Sequence, residues 1–442
     1  MVGETAPCIA PRATTDWNPC PVTVPTPATP HTGRTAAMPF IMATVLIDLI
    51  SIGLIIPVLP SLVGTFTGST SDQAFWYGVV IFAFGFANFL GSPVLGALSD
   101  AYGRRPILLI GFCGLGVVFF ATAFASALWM LIVARLVGGA MQANMAVANA
   151  YVADITPPEL RARRFGILGA MTGVGFIIGP VMGGLLGTHD VRLPFLVGGT
   201  LAMINLVYGC FVLPESLPPD RRRPFRWRSA TPLTSLRTLN ALRGVGSLVT
   251  VITLNGLAQF IMYGSWVLFT TFKFGWGPEE NGWSLAVVGG VSMVVQGFLM
   301  GPLLRLLGAK KLALAGLASS AAAYGAWALA TDGWMMYAVI GANFLGVTVA
   351  ASIQSIISGA ADARSQGHIL GAVASLNSLT AVLAPIFSAP LLTAVSSLPR
   401  GDWRIGAPLF FCALLQAGAL ALAVPALWGG TRRTSGPGPE TR

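Results

Sequence analysis

Long apolar segments set the architecture of this chain, because each is long enough to cross a lipid bilayer. A transmembrane helix needs about 20 mainly apolar residues, and every segment here reaches that length. The twelve segments cover residues 39–63, 74–98, 106–125, 127–151, 163–187, 193–213, 244–271, 280–307, 310–331, 334–359, 367–394 and 404–429. We therefore predict an all-α integral membrane protein with twelve transmembrane helices, for which the lipid bilayer is an obligatory partner.

The composition favours the bilayer over a soluble fold. Charged residues make up 10% of the 442 positions, whereas a soluble domain carries about 25%. The net charge of +10 is spread over short gaps between apolar segments and does not form one basic face, which argues against a nucleic-acid partner. The cysteines and histidines lack metal or haem spacing and no nucleophile motif is present, so we expect no cofactor, no metal and no enzymatic activity.

Lys and Arg are distributed unevenly among the gaps. The gaps after even-numbered segments, with their edges, hold sixteen of these residues, and the gaps after odd-numbered segments hold four. Positive residues concentrate on the cytoplasmic side of a membrane. This asymmetry predicts that both termini lie in the cytoplasm.

The longest gap divides the segments six and six. We predict a disordered tail over 1–38, a six-helix bundle over 39–213, a cytoplasmic linker over 214–243, a second bundle over 244–429 and a tail over 430–442. Met38 is an alternative translation start. The halves repeat at an offset of 205, which pairs Gly96, Gly103, Arg105 and Gly111 with Gly301, Gly308, Lys310 and Gly316, and Gly166 and Pro180 with Gly371 and Pro385. Such a repeat predicts two pseudo-symmetric bundles with a site between them near the bilayer midplane.

Three charges lie close together in GALSDAYGRRP, between the second and third segments. The two arginines fix topology, but topology does not require the aspartate or the glycines beside it. A short charged loop can pair with carboxylates at neighbouring helix ends, and breaking the pairs would accompany opening of a bundle. We predict a conformational switch made of Gly96, Asp100, Gly103, Arg104, Arg105 and, at the end of the fourth segment, Asp154.

Asp48 and Arg135 are ionisable residues well inside the first and fourth segments. Each costs about 2.5–3.5 kcal/mol on membrane-insertion scales, so each is expected to face the bundle interior. If the two helices pack together, the arginine would favour the charged carboxylate while burial would oppose it. We predict that the pair couples transport to protons; a static buried ion pair is the alternative.

The loop motif G-x-L-S-D-x-x-G-R-R-P resembles the signature of the major facilitator superfamily. From Met38 onward the chain more closely resembles bacterial tetracycline-type drug efflux pumps, through LIDLISIGLIIPVLPSL, VARLVGG, VADITPPELRARRFG, GVGFIIGPVMGG, SWVLFTTFKFGW and QGHILGAVASLNSLTAVLAPIF. The resemblance implies the major facilitator fold and proton-coupled efflux of small amphipathic drugs across a bacterial cytoplasmic (inner) membrane. It also implies an antiporter motif at Gly175, Gly179, Pro180, Gly183 and Gly184.

Polar side chains on several segments are candidates for substrate binding. They are Tyr77, Asn88, Gln142, Gln259, Gln296, Gln354 and Asn377. Each could equally form hydrogen bonds between helices. The chain departs from the tetracycline pumps at Gly116, Ser292 and Ser319, which match an acidic residue, a histidine and an acidic residue in those relatives; this predicts fewer transported protons or a different drug.

Two other functions stay open at this level. An importer of a small organic nutrient, either a symporter or a uniporter, would use the same fold, and a non-transporting membrane sensor would bind a ligand without flux. We expect the protein to act as a monomer.

Overall fold

The computed structural model describes residues 32–142, 144–225, 246–359 and 366–428. These residues form helices and connecting turns, with no strand among them. The α-helices are α1 Thr32–Gly53, α2 Leu59–Gly64, α3 Thr70–Tyr102, α4 Arg104–Ala123, α5 Leu128–Met141, α6 Asn144–Ile155, α7 Pro158–His189, α8 Leu193–Val212, α9 Gly246–Phe274, α10 Pro278–Val294, α11 Met300–Leu329, α12 Gly333–Ala342, α13 Val349–Gly359, α14 Gln366–Val395 and α15 Ala407–Trp428. A π turn over Val295–Leu299 joins α10 to α11, and 3-10 turns cover Pro219–Arg221, Asn343–Thr348 and Trp403–Gly406.

Ten helical stretches in the described ranges are long and apolar enough to cross a membrane. One of them, Pro278–Leu329, has 52 residues, and Met38–Gly53 is a shorter apolar helix outside the ten. The long stretch covers two predicted segments, 280–307 and 310–331, and its backbone leaves helical geometry at Gly308 with φ 70°. If the long stretch is counted as two helices and Met38–Gly53 is added, the ten stretches become twelve and correspond to the twelve predicted segments.

The first helix begins earlier than the sequence suggested. The predicted tail extends to residue 38, whereas α1 begins at Thr32. The apolar run starts only at residue 39, but the alanines just before it favour helix and extend α1 beyond that run. The rest of the predicted N-terminal tail, most of the linker and the C-terminal tail lie outside the described residues.

The two halves show the predicted 205-residue repeat in their backbone. Gly103 and Gly308 are related by that offset, and both adopt a positive φ, of 109° and 70°. Glycine enters this region at no steric cost, which explains its presence at both turns. Residues 111 and 316 also correspond: Gly111 lies against Asn144, and Gly316 lies against residue 349, again 205 positions further on.

Two predicted continuous helices are interrupted in the structure. The segment over 127–151 is divided between α5 and α6, with Gln142 outside either helix. The segment over 334–359 is divided by the 3-10 turn Asn343–Thr348. The interruptions occupy corresponding places in the repeat, and broken helices of this kind commonly form binding sites in transport proteins.

The halves pack together at one end of the molecule. Helix α7 lies against α10, where Gly184 approaches the backbone of Pro278 and Glu279. At the same end, the Thr70 hydroxyl at the start of α3 donates a hydrogen bond to the Ser396 carbonyl just after α14, at 3.2 Å. The contact between α3 and α14 continues from this bond to Gly78 against Ala389 and Gly85 against Ala381, so two pairs of helices join the first half to the second.

Toward the other end the halves diverge. The contact between α7 and the second half continues as far as Gly173, which lies near Met293. Beyond it, a Cβ built at Gly166 or Gly169 in α7, or at Gly297 or Gly301 in the second half, would meet no atom of the described residues within 4 Å. Among the described residues, the two halves therefore meet at one end and diverge toward the end that carries Gly103 and the start of the linker.

Candidate functional site

A central cavity of about 510 Å³ lies between the two halves. Both halves contribute, since α1, α3, α4 and α5 line it from the first half and α9 and α14 from the second. Most of the lining is aliphatic or aromatic. Its larger polar side chains are Tyr77, Asn88, Arg135, Gln142, Tyr263 and Asn377. A largely apolar cavity of this size with a few convergent polar groups suits one drug-sized molecule.

A second cavity of about 350 Å³ lies inside the second half. Side-chain amides and hydroxyls are frequent in its lining: Asn255, Gln259, Ser292, Gln296, Ser320, Asn343, Gln354 and Gln416. Tyr263 lines both cavities, so the two are adjacent. No charged side chain is among the lining residues described for this second cavity.

The predicted substrate-binding residues fall into two groups. Tyr77, Asn88, Gln142 and Asn377 line the central cavity, whereas Gln259, Gln296 and Gln354 line the second. Gln259 also donates a hydrogen bond to the Tyr263 hydroxyl at 3.3 Å, between the cavities. Sequence patterns could not separate the groups, because all seven are polar residues on apolar helices.

The second cavity also contains residues that sequence reasoning did not select. Gln416 donates a hydrogen bond to Asn255 at 3.0 Å, while its own amide oxygen is buried without a partner. Asn343 accepts a hydrogen bond from Ser319 at 2.9 Å. Asn343 begins the 3-10 turn that interrupts the tenth segment, so the break in that helix is the signal that would have identified it.

Asp48 and Arg135 do not form the predicted ion pair. Asp48 accepts a hydrogen bond from the Asn144 side-chain amide at 2.9 Å, and it borders a small void between α1, α4 and α6. Arg135 lies in α5 and lines the central cavity instead. Asn144, which binds Asp48, comes nine residues after Arg135, and nine residues span about 13 Å along a helix. Arg135 and the Asp48 carboxylate therefore lie at different depths in the membrane.

The polar face that contains Asp48 also points away from the cavity. Thr44 accepts a hydrogen bond from Asn205 of α8 on its carbonyl at 3.0 Å. Ser51 donates to the Ile47 carbonyl within its own helix at 2.8 Å. All of these side chains are buried in the first half, so the carboxylate belongs to the interior of that half.

The charged loop forms a cluster at the parted end of the molecule. Arg104 at the start of α4 pairs with Asp100 of α3 at 2.6 Å and with Asp154 of α6 at 3.1 Å. Its guanidinium also donates to the Ser99 hydroxyl. The predicted partner Asp154 is thus in contact with the loop, and the cluster joins three helices of one half. Arg105 is not part of these pairs; its side chain donates to the Cys210 carbonyl.

Glu215 is a member of this cluster that sequence reasoning missed. Its carboxylate accepts hydrogen bonds from the backbone amides of Arg104 at 2.9 Å and of Arg105 at 3.3 Å. These amides are the unpaired first donors of α4, and a carboxylate is favoured at that helix end. Farther along the linker, the Arg223 amide donates to the Asp100 carbonyl at 3.0 Å. The first acid of a basic linker, directly after the apolar segment ends, is the signal that could have indicated this cap.

Gly103→Ala is expected to destabilise the protein, because φ 109° and ψ 159° form a region that is essentially restricted to glycine. The strain amounts to about 1–3 kcal/mol, and a Cβ would also crowd Glu215. Thermal unfolding of the purified protein in detergent should therefore occur at a lower temperature.

Gly96→Ala is the matched control for this substitution. Gly96 lies inside α3, and a Cβ there would meet no atom within 4 Å. Alanine is favoured over glycine in a helix by about 0.5–1 kcal/mol. Its unfolding temperature should be equal or higher, and equal losses in both variants would contradict the backbone explanation.

The predicted antiporter motif forms close helix contacts. A Cβ at Gly175 would lie 2.6 Å from that of Leu49, and one at Gly179 would lie 2.7 Å from the Gly53 Cα. The remaining motif residues extend the contact: Gly183 meets the Leu54 carbonyl, Gly184 meets Pro278, and the Pro180 carbonyl meets Gly282. The motif thus presses α7 against α1 and, across the halves, against α10.

The three positions at which this chain departs from the tetracycline pumps that it resembles lie in different environments. Gly116 is buried in α4 with the Met203 side chain directly against it. Ser292 lines the second cavity, and Ser319 bonds to Asn343 beside it. Neither cavity has a carboxylate in the lining described for it.

Two membrane-embedded helical halves, joined at one end around a shared cavity and parted at the other, define a membrane transporter of the two-bundle type. The chain belongs to the Major Facilitator Superfamily, whose sequence profile matches residues 41–385. The predicted all-α fold of that superfamily is confirmed.

Similar proteins include drug-resistance transporters. The chain is 38% identical over 390 residues to the tetracycline resistance protein, class C, of Escherichia coli, covering 88% of this chain and 98% of that protein. It is 33% identical over 371 residues to the class G protein of Vibrio anguillarum, covering 83% and 93%. Among solved structures, the nucleoside transporter NupG matches with a TM-score of 0.70 at 12% identity, covering 88% of this chain and 98% of NupG. At that identity the likeness shows the fold alone.

Proposed function

We propose that the protein exports small amphipathic drugs across the bacterial cytoplasmic membrane in exchange for protons. The observation that carries the proposal is the central cavity shared by both halves, closed at one end and parted at the other. Rocking the halves about this cavity would expose it to each side of the membrane in turn, which is alternating access. The relatives named for tetracycline resistance support a drug as cargo.

Asp48 is the carboxylate that we assign to the proton. It lies outside the cavity but is linked to it through the interruption between α5 and α6, because Gln142 lines the cavity and Asn144, two residues later, binds Asp48. A change in the shape of the cavity would therefore act on the partner of the carboxylate. Ionisable residues inside membrane segments commonly form such proton sites.

The proposal places the parted end in the cytoplasm. That end carries the charged loop and the start of the arginine-rich linker, and positive residues favour the cytoplasmic side. The cavity in this structure would then be accessible from the compartment in which drugs must be captured. One copy of the chain supplies both walls of the cavity, so we also propose that a monomer transports.

Everted membrane vesicles test this function in a host that lacks its own drug pumps. Energised vesicles with the protein should accumulate an amphipathic drug, and drug addition should release protons from the vesicle lumen. Vesicles from cells that lack the protein provide the baseline. Downhill entry without proton release would indicate an importer, and binding without flux of any compound would indicate a sensor; either result would contradict the proposal.

The Arg104 cluster is proposed to act on the conformational change and not on drug binding. Asp154→Asn removes one carboxylate from Arg104, whose side chain is 11% exposed. A pair this near water contributes about 1 kcal/mol, which corresponds to about a fivefold shift of a balanced equilibrium. Turnover in vesicles should fall by about that factor with little change in drug affinity, and Asp100→Asn should do less because Asp100 is 45% exposed.

Asp402→Asn is the control for this prediction, because Asp402 pairs with Arg404 at the opposite end of the molecule at 2.7 Å. That pair joins residues only two positions apart and does not link helices of one half. Its loss should leave turnover unchanged. A fall in drug affinity as large as the fall in turnover, in Asp154→Asn, would assign the cluster to the substrate site.

A further inference from the structure

Arg135 is a buried cation on the wall of the central cavity, and no carboxylate of the described residues pairs with it. Its side chain is 6% exposed, and its Nε and Nη2 groups donate to no acceptor within the described ranges. The cavity lining described for the structure includes no aspartate or glutamate. Asp48, the carboxylate that the sequence paired with it, is bound by Asn144 instead.

An unpaired guanidinium is costly in this environment. Buried charges are normally paired with an opposite charge, and a charge inside a membrane segment usually marks a ligand or ion pathway. Arginine offers a rigid planar fork of donors that matches a carboxylate in a bidentate arrangement. The missing partner of Arg135 therefore has the chemistry of a ligand anion that enters the cavity.

We infer that the central cavity binds amphipathic organic acids and that Arg135 pairs with their carboxylate or enolate group. This inference rests on the proposed export function and specifies its substrate class. The walls suit the apolar part of such a molecule, because Phe84, Phe89, Phe119 and Phe260 line the same cavity. Tyr77, Gln142 and Asn377 add uncharged hydrogen-bonding groups.

The same arrangement disfavours cationic substrates. A cation beside Arg135 would be repelled in an environment of low dielectric constant. No carboxylate in the described lining of either cavity offsets that repulsion. Gly116 and Ser319 stand where the pumps that the chain resembles have acidic residues. Selectivity for acids thus has an attractive and a repulsive component.

A matched pair of probes tests the inference. Pyrene-1-carboxylate and pyrene-1-carboxamide share one ring system and differ in charge, and their fluorescence anisotropy reports binding to the purified protein in lipid nanodiscs. The acid should bind the wild-type protein at least about tenfold more tightly than the amide, which equals about 1.4 kcal/mol. Arg135→Gln should remove this preference, and Arg135→Lys should retain part of it. Asp402→Asn, which lies outside both cavities in a pair with Arg404, should leave it in place.

Equal binding of acid and amide by the wild-type protein would overturn the inference, as would an acid preference that survives in Arg135→Gln. If Arg135→Gln does not fold, the wild-type comparison and Arg135→Lys decide the matter. The vesicle assay separates this inference from the export proposal. Proton-coupled flux of neutral or cationic drugs with no acid preference would contradict the anion site alone, whereas acid-selective binding without flux of any compound would contradict export alone.

Discussion

Asp48→Asn is expected to abolish drug-driven proton movement while leaving the protein folded and inserted. The side chain of Asp48 is 6% exposed and accepts a hydrogen bond from the Asn144 amide at 2.9 Å. Asparagine has the same shape and keeps an oxygen that can accept this bond, so packing should survive. What it loses is a carboxylate that can take up and release a proton, and we expect proton release and uphill drug accumulation to fall at least about tenfold, which equals about 1.4 kcal/mol.

The measurement is drug-induced proton release from everted vesicles at matched expression, with drug binding measured on the same preparation. Ser51→Ala is the control: Ser51 lies one turn further along the same face, and its hydroxyl bonds to its own helix at Ile47. It should behave as the wild type does. Normal coupled transport by Asp48→Asn would show that this carboxylate is not part of the proton pathway. Its buried hydrogen bond to Asn144 would then be structural only.

The fold was largely predictable from the sequence, for a physical reason. A bilayer offers no water to unpaired backbone groups, so apolar stretches of this length must become helices. The 205-residue repeat indicates a backbone turn that the hydrophobic pattern does not. Gly308 lies inside an apolar stretch of 52 residues, yet its correspondence with Gly103 marks the point where the backbone turns.

The site was less predictable, because it depends on where helices are interrupted. A continuous helix over 127–151 would place Arg135, Gln142 and Asn149 on one face. The interruption after Met141 ends that register: Arg135 and Gln142 line the cavity, whereas Asn149 is not among its lining residues and Asn144 binds Asp48. A local break in backbone geometry leaves no hydrophobic signature, and neither does the side-chain cap that Glu215 provides from a distant part of the chain.

Joining the two halves at their closed end is expected to stop transport completely and reversibly. Thr70 and Ser396 belong to different halves and meet there through a hydrogen bond of 3.2 Å. Cysteines at both positions, in a protein whose native cysteines are replaced by serine, can be linked by a short bis-methanethiosulfonate reagent. Alternating access requires this end to part in each cycle, so drug accumulation in vesicles should fall to background and return on reduction.

A second pair of cysteines shows whether the effect depends on joining the halves. Gln73 donates a hydrogen bond to the Pro60 carbonyl at 2.8 Å, near the same end but within the first half. Linking cysteines at these two positions should leave transport intact, because rigid-body rocking does not change distances inside one half. Full transport after the Thr70 and Ser396 positions are linked would mean that the closed end does not open during transport. Loss of transport in both linked proteins would mean that movement within the first half is also part of the cycle.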